Sequence, residues 1–175
     1  MFQSKEFIER VKEEDSTMLI QLPLLAKINS GGFITVDSQA GRRTTGISFR
    51  NQKPYVMNER AYIMGFMSEK EAGKFIKELS LKTDKTAAYI PMCDNDIKRP
   101  SELDIPLTYT RQGTDDTIHT HTSLALPEVT WTSFRKQANI NKNEPVVFLC
   151  CWDTQWNRLA NSRGGLFTDI LRVLY

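Results

Sequence analysis

Histidine and cysteine are scarce in this chain: 175 residues carry two of the first and three of the second. A structural zinc centre takes four protein ligands and a catalytic one three, and the sequence does not point to partners for His119 and His121. Cys93, Cys150 and Cys151 make no even disulfide framework, and neighbouring cysteines strain a bridge across one peptide bond. Reduced thiols and an intracellular setting, cytoplasmic or nuclear, are therefore expected. Long apolar runs are missing too. Nothing approaches the roughly 20 residues a membrane-spanning helix needs, and MFQSKEFIERVKEED is too charged for a signal peptide, so no membrane span is expected. The chain has no Walker loop, no G-x-G-x-x-G, no H-E-x-x-H and no paired CxxC, which removes the motif grounds for a nucleotide, dinucleotide or zinc enzyme. No cofactor is expected. Internal repeats and low-complexity segments are absent as well.

What is present is an ordinary globular mixture: 40% hydrophobic, 25% charged, with a net charge of +2. Such a composition can bury a core, and the length suits one domain over residues 1–175. Acidic and basic residues are interleaved, with Arg42-Arg43 and Lys98-Arg99 as the paired basic sites. Nucleic-acid-binding domains show a stronger or more clustered excess. Bulk charge neither favours nor removes a polyanionic partner.

Periodicity supplies the elements. SKEFIERVKEE places Phe7, Ile8 and Val11 on one helical stripe. A second helix is expected over Leu22 to Asn29, opened by Pro23 and closed by Asn29-Ser30-Gly31-Gly32. Phe33 to Val36 reads as a buried strand, and RRTTGISFRNQKPYVMN as loop or a small irregular hairpin. RAYIMGFM is a strand whose Gly65 suits close approach by a neighbour. Ser68-Glu69-Lys70-Glu71 is a capping box, and Ala72, Phe75, Ile76 and Leu79 follow at helical spacing. AAYIPMC is the next strand, ended by Pro91. Residues 60 to 92 thus read strand–helix–strand, the unit that pairs in parallel through a right-handed crossover. After the polar connection DNDIKRPSELD comes a threonine-rich antiparallel ribbon near 105–124, turning at Gln112 to Asp115. EVTWTSFRKQAN is a helix. EPVVFLCCWD, apolar from Val146 to Trp152 without alternation, is a central strand covered on both faces, so that Cys150 and Cys151 point opposite ways. Leu166, Phe167, Ile170, Leu171 and Leu174 form the last helix behind Gly164-Gly165. The fold class is α/β, one domain with a mixed β-sheet covered by helices.

Two polar strand ends carry the candidate site, because ligands gather where side chains leave the carboxyl ends of strands. One holds Thr35, Asp37, Ser38 and Gln39; the other holds Asp153, Trp156 and Arg158. If the two ends are neighbours, Ser38, Gln39, Asp153 and Arg158 share a cleft walled by tryptophan. The same residue types also serve Asx turns and caps by purely local hydrogen bonds. Arg60 suits either a bidentate clamp on a carboxylate or phosphate or a structural pairing with Asp37 and Gln39. Ser38 lacks the G-x-S-x-G elbow of a hydrolase serine, and burial raises a thiol pKa at Cys150 and Cys151. His119 and His121 have the spacing of two ligands on one strand face. On an exposed ribbon two solvated side chains are the expectation, and no metal.

PLLAKINSGGFITVDSQAG followed by ERAYIMGFM resembles a family of uncharacterised small α/β domains. Its pattern is P-x-L-x-x-I/L-N-x-x-G-F-I/L-T-x-x-S-Q-x-G, then R-A-x-x-x-G-F, in actinobacterial proteins and in large DNA viruses of the marseillevirus kind. Pro23, Leu25, Ile28, Asn29, Gly32, Phe33, Thr35, Ser38, Gln39, Gly41, Arg60, Ala61, Gly65 and Phe66 carry the match, about a quarter of the chain. The resemblance implies a fold and a shared polar cluster of Thr35, Ser38, Gln39 and Arg60, with no reaction attached, and a host- or virion-interaction role. The leading expectation is a small binding protein with a protein partner. The alternatives are a small hydrolase or transferase using Ser38, Gln39, Arg60, Asp153 and Arg158, and a weak nucleic-acid binder in which Arg42, Arg43, Lys98 and Arg99 converge.

Overall fold

The computed structural model describes residues 16–92, 105–121, 135–136, 141 and 143–175, with 16, 17, 90–92, 116 and 118–121 described by their backbone alone. The N-terminal helical stripe, Cys93, Lys98, Arg99 and most of the helix expected over EVTWTSFRKQAN lie outside the described residues. The elements follow in the order α1 (Ser16–Leu19), α2 (Leu22–Ser30), β1 (Ile34–Gln39), β2 (Arg43–Ile47), β3 (Pro54–Glu59), β4 (Tyr62–Ser68), α3 (Glu69–Lys82), β5 (Lys85–Met92), β6 (Ile105–Gln112), β7 (Asp115–His121), β8 (Val146–Asp153) and α4 (Leu166–Leu174).

Local chemistry accounts for several of these boundaries. Pro23 sits in the first turn of α2, where a missing N–H is harmless. Ser68 caps α3 by accepting from the Glu71 amide at 3.3 Å. The ribbon of β6 and β7 turns at Gly113, in the left-handed region at φ +65°. The segment expected as loop or irregular hairpin is instead the regular pair β2–β3, in unbroken register from Arg43↔Asn58 to Ile47↔Pro54. Gly46 leaves room there for the Tyr55 side chain, whose ring a Cβ would meet at 2.9 Å. Strand β5 also runs past Pro91 to Met92. It is the outer strand of its sheet, where a residue without an N–H costs no ladder bond on the open side.

Among the described residues, eight strands make two four-stranded sheets, ordered β1-β4-β8-β5 and β2-β3-β6-β7. Side-chain alternation along β4 and β8 divides the core. Ile63, Met67, Val147, Leu149 and Cys151 meet Leu25 and Ile28 of α2, Phe75 and Leu79 of α3, and Phe167 and Ile170 of α4. On the opposite face Tyr62, Met64, Phe66, Phe148 and Cys150 meet Ile105 and Leu107 of β6. The layers are helices, central sheet, second sheet. Burial on both faces is why β8 reads as a continuous apolar run, as its sequence indicated.

The α/β content and the antiparallel threonine ribbon match the sequence reading, but the mixed sheet does not: each strand pair among the described residues is antiparallel. Strands β4 and β5 do run parallel to each other across α3. However, β8 lies between them and hydrogen-bonds to both. The strand most apolar on both faces takes the doubly covered centre, and the crossover unit is split around it.

Candidate functional site: the polar end of the central sheet

The two polar strand ends do come together. Gln39 and Trp152 both pair with Tyr62, from opposite sides of β4, so the tips of β1 and β8 lie at one end of the sheet, one strand apart. The chain beyond them closes the gap. The Ala160 amide donates to the Ala40 carbonyl at 2.8 Å. Gly41, at φ +74°, approaches so closely that a Cβ would lie 2.5 Å from the Arg158 carbonyl oxygen.

Arg60 and Ala61 are the point where the chain passes from one sheet to the other. The Arg60 amide donates to Leu107 in the second sheet, while the Ala61 carbonyl accepts from Asp153 in the central one. Gln39 Nε2 donates to the Arg60 carbonyl at 2.9 Å. The Arg60 side chain does not pair with Asp37. Its guanidinium lies over Trp156, with Cζ 4.3 Å from the ring centroid, and Trp156 meets Tyr109 of β6 at 6.1 Å between centroids. Burial lowers the Arg60 pKa, and Asp153 partly opposes that shift. Asp37 instead accepts from Tyr62 Oη at 3.0 Å. Burial first, and then Asp37, hold that phenol far above its ordinary range.

Behind β8, on the helix side, lies an ionic network. The buried Lys85 ammonium contacts Asp84, Asp153 Oδ2 at 3.4 Å and Asp169 Oδ2 at 3.3 Å. Arg158 forks onto Asp84, with Nη1 donating to Oδ1 at 3.1 Å and Nη2 to Oδ2 at 2.7 Å. This pairing is the main reason the Asp84 pKa falls to about 2 and the Arg158 pKa rises. Arg158 also reaches Gln155 and the Gly164 carbonyl. Arg172 closes the network on Asp169 at 3.3 Å. The glycine pair before α4 serves packing here: a Cβ on Gly165 would lie 2.3 Å from the Leu159 carbonyl.

The expected residues therefore divide among separate groups. Gln39, Arg60 and Trp156 meet, and Asp153 and Arg158 belong to the ion network. Thr35 stands four residues up β1, roughly 13 Å away at strand rise, where it exchanges hydrogen bonds with Asn29 at 2.8 and 2.9 Å. Ser38 is half-buried opposite Ile63 on the outer strand of its sheet. His119 and His121 lie in β7, paired with Thr108 and Ile105, and their side chains fall outside the description. Arg42 pairs with Glu59 at 2.9 Å. Lys85, Asp84 and Asp169 escaped the sequence reading, since Lys-Thr-Asp-Lys looks like a solvated turn. The available signal was that Lys85 opens one apolar strand as Asp153 closes another. Among the described residues no group of three or more His, Cys, Asp or Glu side chains is set to hold a metal ion. No protein-family model and no curated protein matches the chain.

Proposed function

We propose that this chain is an intracellular binding protein that engages a protein partner through the tip of the β2–β3 hairpin. Phe49 carries this reading: it is 99% exposed at the tip, with Ile47 63% exposed beside it. Large apolar groups presented together to water mark contact surfaces, and aromatic residues, phenylalanine among them, are enriched at the core of protein interfaces. Engagement of the polar groups supports it from the other side. Asp153 faces Lys85, Arg158 is forked on Asp84, and Gln39 holds a carbonyl, which is the behaviour of a network that fixes the strands rather than of a hydrolase or transferase cleft. Arg42, half of the basic pair offered to nucleic acid, is tied to Glu59. The free thiols of Cys150 and Cys151 support an intracellular setting. A host- or virion-directed partner follows from the family likeness and belongs to the same proposal.

Photo-crosslinking in cells tests it. A photoreactive residue at position 49 is expected to give a discrete protein adduct, and one at the exposed Lys77 of α3 is expected to give none. Absence of an adduct from position 49, or equal adducts from both positions, rejects the hairpin as the docking element.

A further inference from the structure

The ions behind β8 balance without Arg60. Lys85, Arg158 and Arg172 face Asp84, Asp153 and Asp169, three cations against three carboxylates. Arg60 stands in front of this neutral set as an added positive charge. Its backbone is fixed at both ends, the amide on Leu107 and the carbonyl under Gln39. Trp156 holds the guanidinium by its flat face. An indole face attracts a cation but takes none of the in-plane N–H bonds, of which a guanidinium has five. Nε is buried with no hydrogen-bond partner. An arginine that served only to pack Trp156 would not need a buried Nε without an acceptor, because leaving such a donor unmatched is unfavourable.

We propose that the edge of Arg60, presented on Trp156, is a binding site for an oxyanion, a phosphate or a carboxylate received in the guanidinium plane. The planar fork matches two oxygens of either group. Stacking has already fixed the side chain, so little freedom is lost on binding. The anion would neutralise the charge that burial disfavours and give the Nη N–H groups of this half-buried side chain the acceptors that the indole face does not supply. This site neither uses nor needs the hairpin tip, so failure of the crosslinking experiment leaves it standing.

Titrations followed by the Arg Nε–H and Trp Nε1–H resonances test it, with inorganic phosphate, acetate and a nucleoside 5′-monophosphate as separate probes. At least one probe is expected to shift the Arg60 and Trp156 signals saturably, with affinity at least tenfold weaker in Arg60→Gln. Tighter binding of the nucleotide than of phosphate assigns the phosphate to a nucleotide whose base reaches Tyr109, equal binding assigns a bare phosphoryl group, and response to acetate alone assigns a carboxylate. If Arg60→Gln does not fold, Arg60→Lys decides, since a point charge lacks the fork and is expected to bind several-fold more weakly. No saturable shift with any probe, or affinity unchanged in the folded variant, overturns the proposal.

Discussion

Gly65 shows how a single residue sets the geometry of β1. The register of β1 against β4 slips between Thr35 and Asp37, a bulge that turns Val36 outward and aims Asp37 at Tyr62. At that point the Ile34 carbonyl comes within 2.1 Å of where a Gly65 Cβ would sit. Gly65→Ala is expected to cost about 3 kcal/mol, read from urea denaturation midpoints. Gly73 gives the contrast: it lies in α3 with nothing within 4 Å of an added Cβ, so Gly73→Ala should stabilise by about 0.5–1 kcal/mol. The adjacent thiols show the same dependence on surroundings. Cys150 and Cys151 are buried on opposite faces of β8, and burial pushes Cys150 up to about 12 and raises Cys151 well above its ordinary value. Neither is placed to act as a thiolate.

At the scale of elements, the pairing of β5 with β8 places Lys85 opposite Asp153, and α4 brings Asp169 over the pair. A buried ion pair contributes little beyond an apolar alternative, but removing one partner leaves buried charge uncompensated. Lys85→Met is therefore expected to destabilise by about 3–5 kcal/mol, with Asp153→Asn restoring part of the loss in the double variant. Calorimetric melting of the single and double variants measures the coupling. A single-variant loss below about 1 kcal/mol would show that the network does not hold β5, β8 and α4 together.

Across the whole molecule, the Asp84–Arg158 fork ties the start of β5 to the loop beyond β8. The Asp84 pKa is depressed from 3.8 to about 2, so its contribution to stability is fully present above the unfolded value. That contribution fades as pH falls from about 4 towards 2. Melting temperature should fall across that window, and Asp84→Asn should flatten the fall. Because the Asp84 side chain is 46% exposed, added salt should shrink the difference between the two proteins. Identical acid limbs at low salt would remove the fork from the stability of the fold.

What the sequence determined by itself is what a few neighbouring residues decide. The Ser68 cap, the Pro23 helix start, the Gly113 turn and the doubly apolar β8 were legible because each depends on contacts within one turn or one strand. The polar tips were legible as candidates for the same reason. Tertiary structure alone decided that β8 splits β4 from β5, that the chain changes sheets at Arg60 and Ala61, and that Lys85 meets Asp153. It also parted Thr35 from Gln39 and turned Arg60 away from Asp37 onto Trp156. These outcomes depend on which strands become neighbours and in what register, and that choice is made by burying both faces of the central sheet at once, a constraint that no local stretch of sequence contains.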